Sequence, residues 1–103
     1  MTKERLLAKR QLEAIYGKGN TVNIDMGNGK VLLVIGCGEL IKIVEVKEIK
    51  KNTYYPAKKE RKQFQRIICF AKLHKIPAEL WAYKFYGKGK PIIKHTDILW
   101  SDW

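Results

Sequence analysis

The sequence predicts an α/β domain: a compact mixed sheet of five strands flanked by helices, forming a single unit over residues 1–103. Two segments, 3–16 and 59–74, carry apolar residues at helical spacing. Three short apolar segments punctuated by glycines lie between them, and two more follow the second helix. The link from the third strand through the second helix to the fourth strand is long enough to bring the chain back parallel.

In the first helix Ala8, Leu12 and Ile15 make the stripe, with Leu7 and Tyr16 beside it. Thr2 is a weak cap, and Gly17 and Gly19 stop the run. Residues 21–26 alternate, with Val22, Ile24 and Met26 facing one way and Asn23 and Asp25 the other. Asn28-Gly29 is a strong hairpin signal. The second strand, 30–35, is apolar on both faces and therefore interior. After the turn at 36–39, the third strand (40–47) is expected to place Ile41, Ile43, Glu45 and Lys47 on one side and Leu40, Lys42, Val44 and Val46 on the other. A basic loop, 48–58, leads to the second helix, whose stripe is Phe64, Ile67, Ile68 and Ala71. Ile76-Pro77 ends it. The fourth strand, 79–85, aligns Trp81, Tyr83 and Phe85 on one face, and 91–95 is a short edge strand opened by proline. The tail, with Ile98, Leu99, Trp100 and Trp103, is apolar enough to pack on the core or on a second subunit.

The chain has 21 Lys and Arg against 10 Asp and Glu, a formal net charge of +11. Residues 47–75 hold ten basic side chains against two acidic ones. Self-repulsion of this kind is most readily offset by a polyanion whose counterions are released on binding, so a nucleic acid is the expected partner. No apolar run is long enough to span a membrane, and the start MTKERLLAKR lacks the apolar segment of a signal peptide, so an intracellular, nucleoid-associated protein is expected. Cys37, among glycines, and Cys69, on an apolar helical face, have no metal-ligand spacing and are expected as free thiols. His74 and His95 have no ligand partners and support no Ser-His-acid arrangement. The fragments GKGN, GNGK and GKGK match neither a P-loop nor a dinucleotide fingerprint, and hairpin turns explain them.

The most informative pattern is Glu45-Val46-Lys47 at the end of an apolar strand. Charged residues are almost never buried there unless paired or working. The spacing sets carboxylate and ammonium on one side of the strand, about 6.5–7 Å apart along the backbone. A carboxylate so placed can hold a divalent ion, and a lysine can activate water or stabilise charge on a phosphate.

The run from Lys30 to Phe85, with KVLLVIGCGELIKIVEVKEIKKNTYY and QFQRIICFAKLHKIPAELWAYKF, resembles the archaeal Holliday junction resolvases, small dimeric nucleases of the restriction-endonuclease-like superfamily. The resemblance implies a restriction-endonuclease-like sheet, with Glu45 and Lys47 as the family's Glu-X-Lys pair. It places the family's aspartate, thirteen residues before that glutamate, on Leu32, and the helical glutamate on Lys9. A magnesium ion wants oxygen ligands, and Leu32 offers none. Lys9 would repel the ion and attract the phosphate instead. If Asp25 points at Glu45, a rearranged site of Glu45 and Asp25 could hold Mg2+ or Mn2+; otherwise no cofactor is implied.

The expected function is therefore a resolvase-like domain that binds branched DNA, as a homodimer and away from membranes, with cleavage weakened or lost. Its phosphate contacts are expected at Lys9, Lys50, Lys51, Lys58, Lys59, Arg61, Lys62 and Arg66, while Tyr54 and Tyr55 either stack on or bond to the nucleic acid or anchor the basic loop. The alternatives are an active Mg-dependent junction endonuclease using Glu45, Lys47 and Asp25, and an inactive subunit or protein-interaction module.

Overall fold

Glycines and a proline divide the chain as the sequence predicts. The computed structural model describes residues 2–26, 29–50, 57–87 and 89–98. In chain order the elements are α1 (Lys3–Tyr16), β1 (Thr21–Asp25), β2 (Lys30–Gly36), β3 (Glu39–Glu48), α2 (Lys58–His74), β4 (Ala78–Lys84) and β5 (Ile92–Asp97). They form one sheet in the order β1-β2-β3-β4-β5. The β3–β4 pairing is parallel, as the long connection through α2 permits, and the other three are antiparallel. The radius of gyration, 13.3 Å, matches the value of about 13 Å for a single domain of this length.

The two helices cover opposite faces. Ala8 and Leu12 of α1 pack on Leu32, Val34, Val44, Val46, Trp81 and Tyr83. Phe64, Ile67 and Ala71 of α2 pack on Val31, Leu33, Ile43, Ala78 and Leu80, joined by Ile98 just beyond β5. Interior β2 is buried on both faces from Val31 to Val34, as its unbroken apolar run requires.

Several local expectations are corrected. Ile15 is 61% exposed, and Tyr16 packs against the α1-side core instead. Thr2 makes no side-chain cap. The expected α2 stripe of Phe64, Ile67 and Ala71 is buried with Ile68 packed against it, but Gln63 is buried too and Cys69 is exposed; neither cysteine is in a disulfide. The start of α2 is closed by Glu60, whose carboxylate accepts from the Ala57 N–H at 3.1 Å.

The alternation on β3 is also corrected. Gly36 pairs with Glu39 and Ile35 with Leu40, but Val34 pairs with Lys42, so Ile41 is an extra residue, a β-bulge. It shifts the phase: Ile41 packs on the α1 side and Leu40 on the α2 side, the reverse of simple counting.

Candidate nucleic-acid interface

Past the bulge, β3 alternates cleanly. Val44 and Val46 face α1, so Ile43, Glu45 and Lys47 face α2. Glu45 is 1% exposed. Its Oε1 lies 3.3 Å from Lys47 Nζ, and its Oε2 has no hydrogen-bond partner among the described residues. Lys47 reaches the pair from a half-buried position nearer the strand end. Burial pushes the Glu45 carboxyl above its ordinary value, and the Lys47 ammonium, the Gln63 amide and the more distant Arg5 offset this only in part.

Gln63 was not among the expected site residues. It lies one helical turn before Ile67 on the buried face of α2, and its Nε2 donates to Gly29 C=O at 3.2 Å. A polar residue at a stripe position, opposite a buried carboxylate, was the signal that could have found it. One turn further on, Arg66 Nη1 donates to Met26 C=O at 2.6 Å, so two α2 side chains hold the backbone flanking the β1–β2 turn. On the other face, Arg5 Nη2 donates to Lys30 C=O at 2.6 Å. Arg5 and Lys30 thus meet at the start of β2, Lys47 and Lys50 lie at the end of β3 with Lys50 paired to Glu48 at 2.8 Å, and Lys58 and Lys59 stand in the first turn of α2. Lys50, Lys58, Lys59, Arg61, Lys62 and Arg66 are all exposed. Carboxyl ends of parallel strands are where sheets of this class present ligand sites.

The remaining predicted residues are placed as follows. Leu32 pairs with Val44 and faces α1, so it is turned away from Glu45; continuing the register by one residue sets Val31 beside Glu45. The bulge causes this. Extending the pairing of Gly36 with Glu39 without an extra residue would set Leu32 on the Glu45 face. In either register the neighbouring β2 side chain is hydrocarbon. Asp25 pairs with Lys30 at the end of edge strand β1, with β2 between it and β3, and it lines a cleft beside Lys62 and Arg66 that Glu45 does not line. Lys9 belongs to α1, across the sheet from Glu45. Among the described residues no three His, Cys, Asp or Glu side chains converge as a metal site would require. Lys51, Tyr54 and Tyr55, like residues 99–103 of the tail, lie outside the described residues.

Two clefts flank the β1–β2 hairpin. One, of about 630 Å3, is lined by Asp25, Met26, Lys62, Arg66, Phe70 and Leu73; the other, of about 570 Å3, by Thr2, Arg5, Asn23 and Lys30. Glu45 lines neither. The histidines serve packing: His74 lies 4.4 Å from the Phe70 ring, and His95 stacks flat on Trp81 at 4.1 Å. Among the described residues no helix is long and apolar enough to cross a membrane.

The order of helix, three antiparallel strands, helix and parallel strand is consistent with a generic restriction-endonuclease-like fold. No protein-family model, no curated protein and no solved structure matches the chain.

Proposed function

We propose that this domain binds branched duplex DNA through its basic end and has weakened or lost the power to cleave it. The observation that carries the reading is the Glu45–Lys47 pair, 3.3 Å apart, at the rim of an end crowded with exposed Lys and Arg. An ammonium held beside a buried carboxylate keeps one face toward an incoming phosphate, and the surrounding cations supply counterion release. A divalent ion fits these residues poorly. Among the described residues only one carboxylate is at hand, one of its oxygens is matched to Lys47, burial favours its protonated form, and Val31 beside it is hydrocarbon. By the resolvase resemblance two copies would pair, setting two basic faces at the angle of a junction's arms.

One observation favours a second reading, an active Mg- or Mn-dependent endonuclease: among the described residues no donor reaches the buried Glu45 Oε2, and an ion is one way to satisfy it. A gel assay of binding and nicking on a four-way junction and on matched linear duplex, with and without magnesium or manganese, separates the two. Junction-preferring binding without nicks supports the proposal. Metal-dependent nicks abolished by Glu45→Ala establish the nuclease. Indifference to both DNAs leaves the protein-interaction module.

A further inference from the structure

The same face of the sheet continues past Lys47 onto β4 and β5, the two strands joined through the glycines at 87 and 89. Lys47 pairs with Ala82, and Ala82 pairs with Lys94. Paired residues share a face, so Lys47 and Lys94 stand on either side of the small Ala82, two strand spacings or about 9–10 Å apart. Lys84 lies two residues on from Ala82, on that same face. Its Nζ sits 5.2 Å from the centre of the Tyr86 ring, and Tyr86 is 46% exposed. Tyr86 stands just beyond β4, where Gly89 N–H donates to Tyr86 C=O at 2.8 Å and Gly87 takes the left-handed conformation, φ 47°.

From this juxtaposition we propose that Tyr86, with Lys84, Lys94 and Lys47, forms a stacking site for an unpaired base at the branch point or strand end of a DNA bound to the basic end. The inference rests on the proposed function and deepens it. An exposed aromatic ring with one ammonium against it and two more, Lys47 and Lys94, about 13 Å down the same face at the level of Ala82 is a combination that suits single-stranded nucleic acid, the cations taking the phosphates and the ring taking the base. The lysine over one side of the ring supports the same role, because it fixes the ring's orientation and leaves the exposed remainder for a second planar partner.

The test is fluorescence anisotropy with two labelled duplexes, one blunt and one carrying a short oligothymidine overhang, against the wild type, Tyr86→Ala and Tyr86→Phe. Circular dichroism checks that each variant is folded. The wild type is expected to prefer the overhang. Tyr86→Ala should weaken overhang binding by between about fivefold and a hundredfold, the worth of one stacked base. Its affinity for the blunt duplex should stay within about twofold, and Tyr86→Phe should keep the preference, because the ring rather than the hydroxyl is used. An unchanged overhang affinity in Tyr86→Ala, or an equal loss on both duplexes, overturns the stacking site while leaving the proposed function standing. Overhang binding without any affinity for duplex or junction overturns the proposed function and supports the stacking site. Wild-type protein that binds neither probe overturns both.

Discussion

Two buried polar side chains set the residue-scale behaviour of this domain, one on each face of the sheet. Tyr83 is fully buried, its hydroxyl has no hydrogen-bond partner among the described residues, and burial pushes that hydroxyl up to about 12. An unsatisfied buried hydroxyl costs on the order of 1 kcal/mol, so Tyr83→Phe is expected to raise the melting temperature by a few degrees in calorimetry. Glu45 gives a pH-dependent prediction. Its carboxyl holds a proton more tightly in the folded protein than in the unfolded chain, where 4.5 is the ordinary value. Its contribution is therefore complete below that value and is lost as pH rises through the raised folded value. Glu45→Gln should gain stability on the wild type as pH climbs above 4.5, and the gap should close in more acid solution; urea melts across that range check both halves. The same variant frees Lys47 and should tighten DNA binding, steepening the salt dependence by up to about one unit of slope. Glu45 was readable as a candidate because a carboxylate ending an apolar strand is conspicuous. Gln63 was not, because glutamine at a stripe position looks like a surface residue until the element opposite it is known.

At the scale of elements, the β2–β3 hairpin decides what stands next to Glu45. Its two central residues, Cys37 and Gly38, both have positive φ, 52° and 77°, the demand of a type I′ turn. Cysteine is strained there and asparagine is not, so Cys37→Asn is expected to stabilise the domain by up to about 1 kcal/mol in denaturant melts. Helices, turns and the succession of elements along the chain could be read from apolar period and glycine placement, and the edge character of β5 followed from Pro91. The bulge at Ile41 could not. Leu40 and Ile41 are both apolar, so exchanging their faces leaves no mark on the pattern, and the thirteen-residue spacing that points to Leu32 cannot reveal which way Leu32 turns. Helical position misled in a similar way for Cys69, since an apolar residue can lie one step off the buried stripe and line an exposed cleft.

For the molecule as a whole, charge is the dominant quantity. A net charge of +11 on 103 residues, with basic groups from both helices and the sheet gathered at one end, predicts binding that weakens steeply with salt. If six to eight phosphates are contacted, the slope of log affinity against log salt should be about −5 to −7 on duplex DNA, and anisotropy titrations over a range of salt measure it directly. The basic balance was plain in the sequence, whereas its concentration at the carboxyl end of β3 depended on the direction of α2, which only the parallel pairing fixes. That pairing has a consequence in time. The β1–β2–β3 meander joins neighbours in the chain, while Ile43 must find Ala78 across the whole of α2, so closure of the sheet comes late. Pulse-labelled amide exchange should show β2 and β3 protected before β4 and β5. Until α2 docks, Glu45 stays in water. The late step is therefore the one that must strip it of solvent, and refolding should slow as pH rises while the early meander forms at an unchanged rate.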